Sequence, residues 1–144
     1  IYAGSYALKS VESGLVYNAQ PGAVPDAEGV VEIREAGTGF MLIHREVFVR
    51  MADHYRDEIA YETDRMDAGG GRELRHDFFT VGVRLDPFVG YKRFLSEDWY
   101  FCQRWLEMGG KIRMHTGIRC GHIGQMTYPI PAAQLLAAAR KLQP

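Results

Sequence analysis

Phe94-Leu95-Ser96-Glu97-Asp98-Trp99-Tyr100-Phe101-Cys102 sets two adjacent carboxylates at the opening of an aromatic-rich helix. Ser96 stands at the N-cap position, where its hydroxyl is expected to accept a bond from an orphan backbone N–H. Glu97 and Asp98 then occupy the first turn, where the helix dipole favours an ionised carboxylate. Cys102, Trp105, Leu106 and Met108 give the helix over 97–108 an apolar side, and Gly109 supplies its C-terminal cap. Acidic first turns are common in ordinary helices, so capping alone accounts for both acids. A carboxylate fixed on a rigid element beside a cleft-forming loop is also the equipment of a general base.

The flanking sequence alternates strand and helix patterns. Residues 1–10 read as the end of a strand and its following loop, and 14–20 as an edge strand carrying Leu15, Val16 and Tyr17. Residues 20–29 are rich in Pro and Gly and read as a turn-rich connection. Val30-Val31-Glu32-Ile33-Arg34 alternates as a half-buried strand does, and Phe40 to Ile43 reads as a buried strand. Phe48, Met51, Ala52, Tyr55 and Ile59 recur at helical spacing and predict one helix over 45–59. Residues 61–76 are polar around Gly69-Gly70-Gly71 and read as a flexible loop, with a strand over 77–83 and a turn at Asp86-Pro87. Short strands are expected over 111–114 and 118–120. Beyond Pro129 and Pro131, residues 132–142 read as an alanine-rich helix. This order predicts an α/β class with a mixed sheet and flanking helices over 1–128, followed by a helical tail over 129–144.

Composition narrows the function classes. The chain has 144 residues, 47% hydrophobic and 24% charged, which suits one soluble globular domain. A net charge of −1, with the basic residues scattered, gives no global basic field for nucleic acid or an anionic membrane. The two cysteines, Cys102 and Cys120, form no C-x-x-C pair and read as small buried hydrophobes of a reducing, cytoplasmic compartment. No apolar run reaches the length of a membrane span.

Three segments taken together carry a family likeness. Gly37-Thr38-Gly39-Phe40-Met41-Leu42-Ile43-His44-Arg45-Glu46-Val47-Phe48 comes first, the Glu97-Asp98 helix second, and Gly109-Gly110-Lys111-Ile112-Arg113-Met114-His115 with Ile118-Arg119-Cys120-Gly121-His122-Ile123-Gly124 last. In this order they resemble the acceptor-side half of a GT-A glycosyltransferase of the broad family-2-like kind, over roughly residues 30 to 125. The resemblance implies a GT-A-like mixed sheet. It also implies transfer of a sugar, with inversion, from a nucleotide-sugar donor to a hydroxyl of a saccharide acceptor. Asp98 matches the family's base, with Glu97 beside it, and His122 matches a histidine that completes a divalent metal site (Mn or Mg) or meets the donor diphosphate. Gly37, Thr38 and Gly39 would let the backbone approach substrate closely. Trp99 would offer a stacking face for a sugar, although aromatics at helical spacing commonly serve a core. A histidine after a strand is often no more than a hydrogen-bonded structural residue, and His115 is read as one.

The donor half of such an enzyme, with its Asp-x-Asp, has no match here. Asp26-Ala27-Glu28 lies in a Pro/Gly loop and Asp64-Arg65-Met66-Asp67 in a polar one, and neither ends an apolar strand. The expectation is therefore a partial GT-A fold, with a donor-binding segment upstream and an exposed edge or apolar patch near residues 1–20 that favours self-association. Asp98 and His122 should open into one cleft walled by the glycine loop. A non-catalytic remnant that binds a saccharide or a protein partner is the competing reading. A hydrolase built on Asp98, Glu97 and His122 lacks further metal ligands at known spacing.

Overall fold

The computed structural model describes residues 1–4, 17–19, 23–118 and 120. Its frame is a five-stranded mixed sheet in the order β2-β3-β9-β1-β4. The strands are β1 (Tyr2–Ala3), β2 (Tyr17–Ala19), β3 (Val30–Ala36), β4 (Met41–Leu42) and β9 (Ile112–His115). β9 runs parallel to β1 and antiparallel to β3, and β4 is antiparallel to β1.

Alternation decides what each face of the sheet meets. Val31 and Ile33 on β3, with Ile112 and Met114 on β9, are buried under the helices α1 (Arg45–His54) and α3 (Glu97–Glu107). From the helices, Val47, Met51, Phe101, Cys102 and Trp105 complete that core. Glu32 and Arg113 are cross-strand neighbours on the opposite face, where Lys111 Nζ reaches Glu32 at 2.8 Å. That ion pair holds the Glu32 carboxyl below its ordinary range.

The helix expected over 45–59 is broken at Tyr55 into α1 and the single turn α2 (Arg56–Ile59). Its inner face keeps Met51, Tyr55 and Ile59 buried. The Tyr55 hydroxyl donates to the Arg104 carbonyl at 3.2 Å and to Glu107 Oε2 at 3.0 Å, fixing the break against α3.

Four expectations need correction. Phe40 to Ile43 is not a buried strand: Thr38–Phe40 is a 3₁₀ turn, and β4 is a two-residue edge strand with Leu42 67% exposed. Residues 61–76 are not a loop but a hairpin, β5 (Ala60–Met66) with β6 (Arg72–His76). Its polar side chains conceal the pairing, and Asp67 Oδ1 staples the turn by accepting from Gly69 N–H and Gly71 N–H. The strand predicted over 77–83 starts later, as β7 (Gly82–Asp86), paired with the unpredicted β8 (Tyr91–Leu95). Residues 77–81 leave strand geometry where Phe78 packs edge-on against Phe48 and Phe79, itself still exposed, stacks on Phe101 at 4.6 Å. Neither Ile118 nor Cys120 is in a strand, since Ile118 N–H closes a turn onto the His115 carbonyl. His115 Nδ1 accepts from Gly117 N–H at 3.0 Å, the structural part expected of it. The helix expected over 132–142 lies outside the described residues.

Helix α3 ends as its glycines require. Gly109 takes φ +75°, and its N–H bonds the Leu106 carbonyl while Gly110 N–H bonds that of Trp105. A Cβ at Gly110 would overlap the Trp105 indole, whereas at Gly109 it would meet open space. Gly109→Ala should therefore cost about 1–2 kcal/mol, the left-handed backbone penalty alone. Gly110→Ala should cost more, about 3 kcal/mol, because the indole has to move out of a packed core. Urea unfolding of both variants checks the order, and equal losses would show that Trp105 yields freely.

Candidate active site

Glu97 and Asp98 stand where β8 enters α3, after Ser96 at the N-cap. Ser96 does not cap through its side chain as expected; its hydroxyl donates to Asp98 Oδ1 instead. The same oxygen accepts from Trp99 N–H at 2.9 Å. Asp98 Oδ2 accepts from Thr38 N–H at 3.3 Å, across 60 residues of sequence. The half-buried carboxylate is thus fixed by its own helix on one oxygen and by the glycine loop on the other. Glu97 points outward, is exposed, and has no hydrogen-bond partner among the described residues.

The glycine loop is brought to Asp98 by the path of β3 and β4. Gly37 is buried in extended backbone (φ −83°, ψ 152°), so its value is lack of bulk and not an unusual dihedral. Thr38 and Gly39 are exposed beside the acid. Trp99 is half-buried, and the Arg93 guanidinium lies over its ring at 5.0 Å from the centroid. One face of that indole is therefore occupied by a cation–π contact, which leaves at most the other for a sugar. His122 and Gly121 lie outside the described residues. Cys120, just before them, is half-buried with a free thiol.

Beneath the acids is a charged cluster that the sequence pattern did not reveal. Arg93 Nη1 lies 2.7 Å from Asp86 Oδ2 and 3.2 Å from Glu35 Oε1. Asp86 and Glu35 are both buried, and Asp86 Oδ1 also accepts Phe88 N–H at 2.9 Å to close the β7–β8 turn. One guanidinium thus joins β3, β7 and β8 and supports Trp99 from below. Only the pairing of β7 with β8, which sets Asp86 and Arg93 on one side, could have signalled it.

One acid of each weak Asp-x-Asp match is occupied in a turn. Asp26 Oδ1 accepts from Glu28 N–H and Val30 N–H, and Asp67 Oδ1 staples the β5–β6 turn. No group of three or more His, Cys, Asp or Glu among the described residues could hold a metal ion. No helix among them is long and apolar enough to cross a membrane.

Burial has a pH signature in this region. Desolvation pushes the Cys102 thiol up to about 12, with the nearby Asp98 and Glu35 charges adding to it. A thiol whose folded pKa is raised stabilises fully below its ordinary value of 9.0 and loses that contribution as pH climbs toward 12. Stability should therefore fall from about pH 9 upward, and Cys102→Ala should flatten the first part of that fall in denaturant titrations. Arg93→Met leaves Asp86 and Glu35 without their shared cation and should destabilise by about 3–5 kcal/mol. A loss under about 1 kcal/mol in chemical denaturation would show that the cluster is a solvated surface pair.

Among protein-family models, curated proteins and solved structures, none matches this chain.

Proposed function

We propose that the chain is the acceptor-side half of an inverting glycosyltransferase of GT-A type, working with a nucleotide-sugar donor and a saccharide hydroxyl. The observation that carries the reading is the bond from Thr38 N–H to Asp98 Oδ2. It joins two of the three segments on which the family likeness rests, and it orients a carboxylate toward an exposed loop. In the proposed reaction Asp98 Oδ2 takes the proton of the acceptor hydroxyl. The acceptor oxygen forms the new bond to the anomeric carbon as the nucleoside diphosphate leaves. Ser96 and Trp99 N–H hold the other oxygen, so the carboxylate cannot rotate away. Glu97, without a hydrogen-bond partner among the described residues, bonds the acceptor, and Gly37 to Gly39 form the wall beside it.

A divalent ion, Mn or Mg, would offset charge on the diphosphate, held by His122 together with acids of a donor half. The described residues offer no set of ligands of their own, so no step here runs through the metal. A donor half that continued the sheet would pair with an edge strand, β2 or β4. Leu42 and Phe40 are exposed at β4, whereas β1 is already flanked by β9 and β4. The sheet order leaves two candidate junctions, one at residues 1–20 through β2 and one at residues 40–42.

The turn bonds that occupy Asp26 and Asp67 favour a second reading, a saccharide-binding domain without catalysis. Transfer assays separate the two. With a donor half present, in the same chain or in trans, Asp98→Asn should lower turnover by about 10²–10⁴ and leave nucleotide-sugar binding nearly unchanged. His122→Ala should weaken instead the response to divalent metal and to nucleoside diphosphate. Near-normal transfer by Asp98→Asn would reduce Asp98 to a helix cap. Saccharide binding without transfer by the wild type would leave the binding domain.

A further inference from the structure

The β7–β8 hairpin is inside out. Directly opposed residues share a face, so Val83 with Phe94 and Leu85 with Lys92 form one side. That side is the outer one, where Val83, Leu85 and Phe94 are 64%, 59% and 66% exposed. The polar residues Arg84, Asp86 and Arg93 turn inward. Their partners are Glu107, the shared Arg93–Asp86 contact and Glu35. Gln103 Nε2 also donates to the Leu85 carbonyl at 3.0 Å. The hairpin is therefore bolted down by its charges and presents its apolar side outward. At the tip Phe88, Val89 and Tyr91 are exposed as well, and a Cβ at Gly90 would meet no atom within 4 Å.

The charge on this surface has one sign. Asp86, the single acid of residues 82–95, is 3% exposed and paired with Arg93. Lys92 lies on the outer face and has no ion pair among the described residues. A second copy seated on the same face would bring its own Lys92 and no acid to meet it. Five apolar side chains also fall well short of the roughly 20–30 residues a side of a stable interface. A cavity beside the hairpin, between Arg34, Phe88 and Gln103, is about 10 Å³ and admits no side chain. A bilayer surface needs no matching groove; it takes up convex apolar tips, accommodates Phe and Tyr at the headgroup level, and attracts lysine when its lipids are anionic.

We propose that the β7–β8 hairpin is an interfacial docking element for an anionic bilayer. Val83, Leu85, Phe94 and the Phe88–Val89 tip enter the headgroup boundary, and Lys92 meets lipid phosphate. The inference is independent of the glycosyltransferase reading. Co-sedimentation with vesicles of phosphatidylcholine, alone or mixed with phosphatidylglycerol, tests it. Wild-type protein should pellet with the anionic vesicles and less with the neutral ones. The triple variant Val83→Thr, Leu85→Thr, Phe94→Thr keeps strand-forming residues at positions outside the core and should bind at least about tenfold more weakly. Lys92→Gln should remove only the preference for anionic lipid. Phe94→Trp should show a blue-shifted emission on adding anionic vesicles, a readout of insertion that needs no destabilising change. Failure of the wild type to pellet with either vesicle, or unchanged binding by the triple variant, overturns the proposal. So does a wild-type dimer in sedimentation velocity that the triple variant converts to monomer, which would assign the face to a second copy.

Discussion

Everything at the site depends on how α3 is seated on β3. Phe101, Cys102 and Trp105 are buried against the strand face that carries Val31, Ile33 and Ala36. Each such side chain contributes about 1.5–3 kcal/mol relative to exposure. The approach is close enough for the Cys102 thiol to reach the Ala36 carbonyl at 3.9 Å. Seated this way, the helix cannot rotate without exposing one of the three. Its N-terminal acids are therefore held opposite the loop that leaves β3, and its C-terminal turn delivers the chain directly into β9. The Trp105 indole reinforces that delivery by donating to the Lys111 carbonyl at 3.1 Å.

Where sequence carried period and caps, it was legible. The alternation at Val30 to Arg34 announced β3, and the apolar spacing with Gly109 announced α3 almost to its ends. The hairpins were not legible, for opposite reasons. β5 and β6 are polar on both faces, so no period stands out and the triple glycine reads as a loop. β7 and β8 alternate clearly, but with the polar residues inward, where a pattern search expects solvent. Phe78 and Phe79 looked like strand residues because aromatics favour strands; their partners on α1 and α3 lie far away in sequence.

The site itself was half legible. Sequence order brought Asp98 and the Gly37–Gly39 loop into one hypothesis, and the fold brings them into hydrogen-bond contact. What could not be read was the direction of the Ser96 hydroxyl, which depends on where the Asp98 oxygens sit. Nor could Arg93 be read as the support under Trp99. Its two carboxylates come from separate strands, and neither is near it in sequence except through the β7–β8 turn.

The position of β1 bears on how the chain finds this fold. Tyr2 lies beside Arg113, and the Arg113 guanidinium donates to the Tyr2 hydroxyl across 111 residues. β1 is interior, parallel to β9, and the β4 strand has no other described partner in the sheet. The hairpins and helices can form from local contacts, but the join between the two sides of the sheet cannot. It must wait until a loop spanning nearly the whole described chain has closed, which is the slow kind of contact in folding. A short strand whose partner is remote in sequence stays unpaired for longest. Refolding yield should then be governed less by the stability of the finished domain than by how well Tyr2–Ala3 is shielded in the interval.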